Sequence, residues 1–479
     1  MTRLSRRSWP AAGEARPVRA LHLGLGAFHR SHQAWYTEHA ADPEPWGIAA
    51  FTGRGPGAAT LLAAQDGLYT LIERGPDRDR PEVVASITAA CDGDDAEAWA
   101  GYFASPRMAL VTLTVTEAGY HLDAAGHLEL NHPEVAADVR LLRGAAARRD
   151  AGHATQARPA PHPRTMPGRL VAGLAARRRA GGGPIAIVPC DNLMANGAAT
   201  RAAILELCRA VDDGLAGWIS ANVSFVSTVV DRITPATTVQ DLATARRATA
   251  REDRCAVVTE PYSEWVLAGD FPAGRPAWES AGARFVSDVG PFAERKLCLL
   301  NGGHSLLAYA GSALGHETVA DAVADPRCRA WLEEWWGGAA PVLSLSDAET
   351  SGYCAALLGR WRNPRIGHAL SLIARDGSQK LVQRVIPVVR RYLEAGGAVP
   401  PGVGRMVGAW LAHLRGSGAE IGDPRAEELV RLAQGALEPA ARALLEVLLP
   451  GLGADHTLVD GVAASCRQLE SMAGDPRRS

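Results

Sequence analysis

Two lysines are the most informative residues of this chain, because lysine is the cation it almost never uses. The 479-residue sequence has 50 basic residues, of which only Lys296 and Lys380 are lysine. Burial lowers the pKa of a lysine amine toward the working range of a general base, whereas arginine stays protonated. A reaction that needs an amine as its base therefore has two candidate positions.

One of the lysines belongs to a motif with two more polar groups. Lys296 is followed, in an otherwise apolar stretch, by Asn301 and His304. On a helix the last two are neighbours, and Lys296 shares one broad face with His304. This set suits alcohol oxidation, in which an amine takes the hydroxyl proton, an amide stabilises the oxyanion and an imidazole orients the substrate. The adjacent Gly302-Gly303 pair predicts that a ligand or a backbone comes close to this helix.

Two other interpretations of the polar residues are open at this point. The first is structural, with a lysine that extends toward solvent beside a buried, hydrogen-bonded His and Asn. The second is a metal site, because His29 and His32 have helical spacing for two ligands and Gly315-His316-Glu317 resembles a zinc-alcohol-dehydrogenase signature. The cysteine ligands that would complete that signature are absent, and we expect no metal ligands in the site.

A glycine turn near the start of the chain predicts a dinucleotide site. Gly24 and Gly26 follow the apolar run Val18–Leu23 and precede a helix, so their backbone can approach a pyrophosphate. His29 stands where a third glycine is usual. The next apolar run is followed by Arg54, where NAD sites usually have an acid for the ribose hydroxyls. NAD is the expected cofactor, and NADP stays possible because Arg54 can face a 2′-phosphate.

The first half of the chain alternates strand-like and helical segments. The strand-like runs are Val18–Leu23, 46–51, 108–115, Ile185–Pro189 and 223–230. Three of them are followed by polar residues, Thr116, Asn192 and Asp231, which is typical of a parallel sheet whose ligand lies at the carboxyl ends of its strands. Helical periodicity dominates after about residue 290. We expect an α/β, Rossmann-like doubly wound domain over 1–289 and a mainly α-helical substrate and catalytic domain over 290–479.

Composition excludes several other classes of protein. The formal net charge of −2 does not favour nucleic acid as a partner. The eight cysteines contain no C-x-x-C pair, so reduced thiols and a cytoplasmic location are expected. The apolar segment 297–316 is long enough to suggest a membrane span, but the polar Asn301–Ser305 stretch inside it favours a buried helix and no membrane partner.

Several separate stretches resemble the mannitol dehydrogenase family of long-chain polyol dehydrogenases, with fructuronate reductases as the most similar members. The resemblance runs from about residue 18 to about residue 395. The stretches are LHLGLGAFHRSHQAWY, VTLTVTEAGY, PCDNLMANG, TVVDRITPAT, EPYSEWV, GRPAW, KLCLLNGGHSLLAY and DGSQK.

The resemblance implies metal-independent hydride transfer by a monomer acting on a small sugar acid or polyol. It implies Lys296 as the general base and Asn192 and Asn301 as donors to the oxyanion. It also implies that His304 and Asp231 contact or order the substrate, with Lys380 at the edge of the site. The expected cofactor-binding residues are Gly24, Gly26, Phe28, Arg54 and Thr116.

The segment around His368 and DGSQK bears on the substrate. It is more similar to fructuronate reductases, and the carboxylate of a uronate requires a cation, for which Lys380, Arg375 and Arg365 are candidates. Gly367, Ala369 and Leu372 depart from that pattern, and Leu372 replaces the arginine expected at a mannitol site. We therefore expect interconversion of a hexitol or hexonate secondary alcohol with its 2-keto or 5-keto sugar, favouring D-mannonate and fructuronate. The alternatives are a mannitol 2-dehydrogenase, a mannitol-1-phosphate 5-dehydrogenase and a dinucleotide sensor without activity.

Overall fold

The computed structural model describes residues 2–123, 125–150 and 162–473, with the backbone alone for residues 148–150. The chain divides into two units. The first consists of Met1–Arg74 and Arg78–Val289, and the second of Gly75–Asp77 and Gly290–Ser479.

The first unit contains the strands of the described chain. They are β1 (Val18–Leu23), β2 (Gly47–Phe51), β3 (Tyr69–Arg74), β4 (Asp79–Val84), β5 (Ile87–Cys91), β6 (Leu110–Leu113), β7 (Ile185–Pro189), β8 (Val223–Phe225), β9 (Ser227–Asp231), β10 (Val257–Thr259), β11 (Glu264–Ala268) and β12 (Arg284–Phe285). Its helices are α1 (Ala27–Ser31), α2 (Gln33–His39), α3 (Gly57–Ala63), α4 (Ala96–Ala104), α5 (Pro133–Asp150), α6 (Met166–Arg179), α7 (Asn196–Val211), α8 (Asp213–Asn222) and α9 (Val239–Thr249).

Six parallel strands form the central sheet of this unit, in the order β5-β2-β1-β6-β7-β8. β2 and β5 lie on one side of β1, and β6, β7 and β8 lie on the other. The strand order therefore reverses between β1 and β6. In open parallel sheets the crevice at such a reversal, beyond the carboxyl ends of the strands, is where ligands bind. The predicted α/β fold class is confirmed.

Both faces of the sheet are buried, which explains why its strands read as nearly continuous apolar runs. Leu21 and Leu23 pack on one face with Phe103 and Leu170, while Ala20 packs on the other. The two smaller sheets have the orders β10-β3-β4 and β12-β11-β9.

One predicted strand is divided in two. The run 223–230 was expected to be continuous, but β8 joins the central sheet and β9 pairs with β11 in another, with Val226 between them. The buried side chain of Asn196 stabilises this change of sheet, because its Nδ2 donates to the carbonyls of Pro189 and Thr228 and its Oδ1 accepts from the N–H of Thr228. A pattern of apolar residues carries no signal for such a long-range amide.

The second unit is helical in its described part. Its helices are α10 (Gly290–Arg295), a π-helix (Lys296–Asn301), α11 (Gly302–Ala313), α12 (Val319–Ala324), α13 (Pro326–Ala339), α14 (Asp347–Trp361), α15 (Leu370–Ile373), α16 (Gly377–Arg384), α17 (Ile386–Glu394), α18 (Pro401–Leu414), α19 (Ala426–Ala433), α20 (Leu437–Leu448) and α21 (His456–Ala473). Capping residues determine where several of these helices begin. At the start of α12, for example, Thr318 and Asp321 form a reciprocal capping box. Among the described helices, none combines the length and the hydropathy needed to cross a bilayer.

Candidate active site

The glycine turn after β1 is imposed by backbone crowding. Gly24 has φ +111°, and a Cβ at this position would lie 2.1 Å from the carbonyl oxygen of Thr114. The N–H groups of Gly24 and Leu25 both donate to the carbonyl of Phe51 at 2.9 Å, which fixes the turn against the end of β2. Gly26 is different, because a Cβ there would have Gly24 O at 3.5 Å as its nearest contact. The first glycine is therefore required by the fold, and the second leaves open space beside the turn.

Two stacked histidines replace the contact that a third glycine usually provides. The ring of His29, on α1, lies parallel to that of His22, on β1, with centroids 3.3 Å apart and an interplanar angle of 8°. Burial lowers the pKa of His22 to about 3, and burial together with the neighbouring His22 holds the pKa of His29 well below its usual value. Both rings are therefore neutral, and a flat stack lets the helix approach the strand closely.

A cavity of about 640 Å³ opens at the carboxyl ends of β1, β2 and β6. Gly24, Arg54 and Thr116, three of the five predicted cofactor residues, line it. The other two do not, and Phe28 instead stacks on His32 with ring centroids 5.1 Å apart. The cavity adjoins the reversal of strand order, so its position suits a dinucleotide.

Two residues of this cavity were missed by sequence reasoning. Asp94 follows β5, the neighbour of β2, and provides a carboxylate although β2 itself is followed by Arg54. The buried Arg169 donates to the carbonyl of Thr52 at 3.2 Å and to Oδ1 of Asp94 at 3.4 Å, which joins the two loops. The hydrogen bond from His162 is the main cause that lowers the pKa of Asp94. The sequence feature that could have identified Asp94 is the acidic Asp92-Gly93-Asp94 segment, which follows an apolar run.

Asn192 and Asp231 lie at the carboxyl ends of two strands of the first unit, β7 and β9. Asn192 is exposed in the loop after β7, beside the buried Asp191, whose carboxylate accepts a hydrogen bond from the hydroxyl of Tyr120. Burial raises the pKa of Asp191 to about 6. Asp231 is buried at the end of β9, and the amide of Asn196 ties β9 to the end of β7.

In the second unit, two residues of the predicted catalytic motif lie on a π-helix, and the third, His304, lies on α11 directly after it. Lys296 and Asn301 are the first and last residues of the π-helix, and both side chains are half-buried. On an α-helix residues five apart point about 140° away from each other. In a π-helix the hydrogen bond joins residues i and i+5, so Asn301 follows Lys296 by about one turn. The π-helix, which periodicity could not predict, therefore brings the amine and the amide to one side of the helix.

Side chains from distant helices satisfy the carbonyls of this π-helix. The indole N–H groups of Trp335 and Trp336 donate to the carbonyls of Cys298 and Leu299, each at 3.0 Å. Nη1 of Arg384, on α16, donates to the carbonyl of Asn301 at 3.2 Å and to Oγ of Ser305 at 2.8 Å. Buried carbonyls that lose regular helical partners need such donors, so these residues stabilise the irregular turn.

The role expected for Gly302 and Gly303 is corrected by the structure. A Cβ on Gly302 would lie 2.9 Å from Nε1 of Trp335, and one on Gly303 would lie 2.9 Å from Trp361 and from Leu332. The two glycines admit bulky apolar side chains, whereas a ligand or a backbone was expected. The reason is that the indole donors must reach the π-helix carbonyls.

Three rings beside the π-helix, two of them buried and one half-buried, have nitrogens without a hydrogen-bond partner among the described residues. His304 packs against Trp361 with centroids 4.7 Å apart and meets His368 edge-on at 5.0 Å. Among the described residues, Nε2 of His304, Nδ1 of His368 and Nε1 of Trp361 have no hydrogen-bond partner. Burial lowers the pKa of both histidines, of His304 strongly. Neutral imidazoles and an indole that lack protein partners can bind hydroxyl groups of a substrate.

Lys380 lies on α16, one turn before Arg384. Its Nζ donates to the carbonyl of Ile373 at 3.2 Å and is 3.7 Å from a carboxylate oxygen of Asp376. Burial and the neighbouring Arg384 lower the pKa of this amine. The two other cations suggested for a carboxylate, Arg365 and Arg375, are exposed. Lys380 and Arg384 thus place two cationic groups on the helix that contacts the π-helix.

The described residues contain two groups of three side chains able to hold a metal ion. They are His121, His132 and Glu134, and His316, Asp325 and Cys328. The proposed pair His29 and His32 forms no such group within the described chain, and Nε2 of His32 is hydrogen-bonded to the carbonyl of Glu264 at 3.0 Å. His316 does belong to one group, but Arg327 and His316 already bind the carboxylate of Asp325.

A parallel sheet with a glycine turn and a cavity at its strand reversal, together with a helical unit that carries Lys296 and Asn301 on one π-helix, define a dinucleotide-dependent oxidoreductase. The chain belongs to the mannitol dehydrogenase family. The family model for the mannitol dehydrogenase Rossmann domain matches residues 18–280, and the model for the mannitol dehydrogenase C-terminal domain matches residues 288–470.

Relatives and solved structures cover nearly the whole chain. D-mannonate oxidoreductase of Escherichia coli (strain K12) is 36% identical, over 94% of this chain and 93% of the relative. Mannitol 2-dehydrogenase of Cereibacter sphaeroides is 35% identical, over 83% of this chain and 81% of the relative. The structure of Pseudomonas fluorescens mannitol 2-dehydrogenase with NAD and D-mannitol has a TM-score of 0.77 at 29% identity and covers 99% of this chain and 97% of that one. The predicted family, oxidoreductase class and NAD cofactor are confirmed.

Proposed function

We propose that this chain interconverts D-mannonate and D-fructuronate with NAD(H). The observation that carries the proposal is the polar site of the second unit, where unpaired nitrogens of His304, His368 and Trp361 adjoin a π-helix with Lys296 and Asn301. The similarity to a D-mannonate oxidoreductase over almost the full length supports the same substrate.

Lys296 is assigned as the general base. NAD supplies the hydride acceptor when it is bound. The Lys296 amine takes the proton of the substrate hydroxyl during oxidation and returns a proton to the oxygen during reduction. The side-chain amide of Asn301 donates a hydrogen bond to the oxygen as negative charge develops on it. The π-helix positions both groups on one side, and the carbonyl hydrogen bonds from two indoles and Arg384 hold its shape.

The rings of His304, His368 and Trp361 are assigned to binding and orientation of the substrate. A hexonate carries several hydroxyl groups, and each needs hydrogen-bond partners once it leaves water. Nε2 of His304 and Nδ1 of His368 can accept or donate according to tautomer, and the indole N–H of Trp361 donates. This match of free polar atoms to hydroxyls favours a polyhydroxylated substrate over an apolar alcohol.

Two cations on α16 support an acid as the substrate. The carboxylate of a hexonate gains a charge-assisted hydrogen bond from an amine or a guanidinium. Lys380 and Arg384 lie one turn apart, and Arg384 reaches the carbonyl of Asn301. Mannitol has no group that uses a second cation, so the cations favour D-mannonate. A phosphorylated hexitol would use the same cations and is the alternative to test.

The cofactor cavity supports NAD over NADP. Asp94 supplies the acid that the end of β2 lacks, in a position to bind ribose hydroxyls, and its charge opposes a 2′-phosphate. Arg54 lines the same cavity and would favour the phosphate. We infer that Asp94 decides the preference, and Asp94→Asn should improve use of NADPH relative to NADH.

The remaining assignments follow the family resemblance. The first unit is assigned to dinucleotide binding and the second to substrate binding and catalysis. Asn192 is assigned as a second donor to the oxyanion, and Asp231 as a group that orders the substrate. We also infer a monomer located in the cytoplasm, with no nucleic acid or membrane as partner.

An absorbance assay with a panel of substrates tests this proposal. D-fructuronate, fructose and fructose 6-phosphate are each offered with NADH and with NADPH, and oxidation of the cofactor is followed. We expect the highest kcat/KM for D-fructuronate with NADH. A higher value for fructose or for fructose 6-phosphate would overturn the substrate assignment. Cofactor binding without turnover of any of the three would favour a sensor without activity.

Lys380→Met separates a role in carboxylate binding from a general structural role. The variant should raise KM for D-fructuronate by about tenfold, the loss of about 1.4 kcal/mol of charge-assisted binding. Turnover of fructose, however slow in the wild type, should keep its KM. Equal increases for both substrates would contradict the assignment of this cation to the carboxylate.

A further inference from the structure

Two histidines and a glutamate meet in the first unit, where the loop after β6 approaches the start of α5. One ligand atom from each of His121, His132 and Glu134 lies within 4.8 Å of the others. Nε2 of His121 is 3.6 Å from Oε2 of Glu134, and the two imidazole centroids are 4.5 Å apart. These separations allow one small cation to contact all three side chains after small rotations.

One of the two histidines has a ring nitrogen that no described protein group uses. Nδ1 of His132 is buried and has no hydrogen-bond partner among the described residues. A buried nitrogen without a partner calls for an occupant that the protein itself does not provide.

The surroundings leave room for an ion. His121 and Glu134 line the cavity at the carboxyl ends of β1, β2 and β6, and the side chain of Glu134 is 64% exposed. His121 adopts left-handed backbone geometry with φ +53°, which is uncommon for a bulky residue. Two of the three ligands, His121 and Glu134, are thus accessible from the cavity, which gives an ion a path to the buried nitrogen of His132.

We propose that His121, His132 and Glu134 bind one divalent transition-metal ion, with Zn²⁺ as the preferred ion. Two imidazoles and a carboxylate are a ligand set that suits Zn²⁺, and the fourth position of a tetrahedral site is filled by water. The metal takes no part in the hydride transfer assigned to Lys296. It joins the loop after β6 to the first turn of α5, and so it stabilises this wall of the cavity.

The second metal-capable group is less suited to the same role. Its Asp325 accepts from Nε of Arg327 at 3.0 Å, from Nη2 of Arg327 at 2.6 Å and from Nε2 of His316 at 2.9 Å. A cation would have to displace a guanidinium, which costs the paired charge interaction. His316 therefore provides an internal comparison for the test.

Zinc titration of the chelator-treated, dialysed protein tests the site. Calorimetry should show one equivalent bound with micromolar or tighter affinity, and zinc should raise the midpoint of thermal unfolding by about 3–8 °C. His121→Asn, His132→Asn and Glu134→Gln should each weaken binding by at least about tenfold, since even outer partners of ligands contribute that much. Asparagine is chosen at position 121 because it tolerates left-handed geometry.

Two control variants show whether a loss of zinc binding is specific to the proposed site. His127→Asn removes an exposed histidine of the same loop that pairs with Glu206 at 3.0 Å, and His316→Asn disrupts the second group. Both should bind zinc like the wild type. Absence of zinc binding to the wild type, binding retained in all three ligand variants, or loss in His316→Asn would overturn the proposal. Glu134→Gln changes an exposed side chain, so a folding defect cannot explain its result.

Discussion

Acid should destabilise the first unit through the stacked histidines under the glycine turn. The pKa of His22 is about 3 in the folded chain and about 6.5 when unfolded, so the unfolded chain binds the extra proton first. The stabilisation from neutral His22 is therefore fully present above about pH 6.5 and is lost as the pH falls toward 3. The complete loss corresponds to about 5 kcal/mol, of which about 2 kcal/mol is lost between about pH 8 and about pH 5.

His22→Asn isolates this contribution. The amide of asparagine can replace Nδ1 in the hydrogen bond of 2.8 Å to Thr112, but it cannot take up a proton. The variant is expected to be less stable near neutral pH, because it loses the stacked ring. Between about pH 8 and about pH 5, however, it should lose about 2 kcal/mol less of its free energy of unfolding than the wild type does. Urea unfolding of both proteins over this range measures the difference.

His39 supplies the control for this experiment. It is partly exposed, and its hydrogen bond to Glu82 raises its pKa, so its stabilisation is present below about pH 6.5 and is lost as the pH rises. His39→Asn should not reduce the acid sensitivity. Equal pH dependence of the wild type and His22→Asn would refute the reasoning, because it would show that the buried ring contributes no proton linkage.

Three further predictions concern the turn, the cavity and the π-helix. Gly24→Ala should destabilise the first unit severely, because its Cβ would lie 2.1 Å from a backbone oxygen. Gly26→Ala should fold normally and bind NADH more weakly. Circular dichroism and NADH titration check both variants, and normal folding of Gly24→Ala would contradict the steric argument. Asp94→Asn should lower the ratio of the kcat/KM values for NADH and NADPH, and an unchanged ratio would remove Asp94 from cofactor selection. Trp335→Phe leaves the buried carbonyl of Cys298 without its donor, so the variant should lose about 1–3 kcal/mol of its free energy of unfolding. Its kcat should fall while its affinity for NADH is unchanged. A kcat equal to that of the wild type would show that the π-helix does not need this hydrogen bond.

Much of the fold could be predicted because its signals are local. The run Val18–Leu23 and the glycines after it predict a strand and a turn, since apolar patterning and steric freedom act within a few residues. The divided strand β8–β9 could not be predicted in this way. It depends on the amide of Asn196, which is 32 residues from its partner Thr228.

In the candidate site, too, features set by local sequence could be predicted, and features set by long-range contacts could not. Lys296, Asn301 and His304 could be proposed as site residues from their types in one short motif. The π-helix that carries the first two could not be predicted, because it depends on Trp335, 37 residues from Cys298, and on Arg384, 83 residues from Asn301. Asp94 was missed because its place in the cavity follows from the pairing of β5 with β2.

The central claim, that Lys296 is the base, is tested most directly by hydride transfer in Lys296→Ala and Lys296→Arg. Rapid mixing with D-fructuronate and NADH, together with NADH titration, separates chemistry from cofactor binding. We expect both variants to lose at least about 100-fold in the rate of hydride transfer, because arginine keeps the charge but cannot exchange the proton. NADH affinity should stay within about twofold of the wild type. A rate within about tenfold of the wild type in either variant would contradict the assignment.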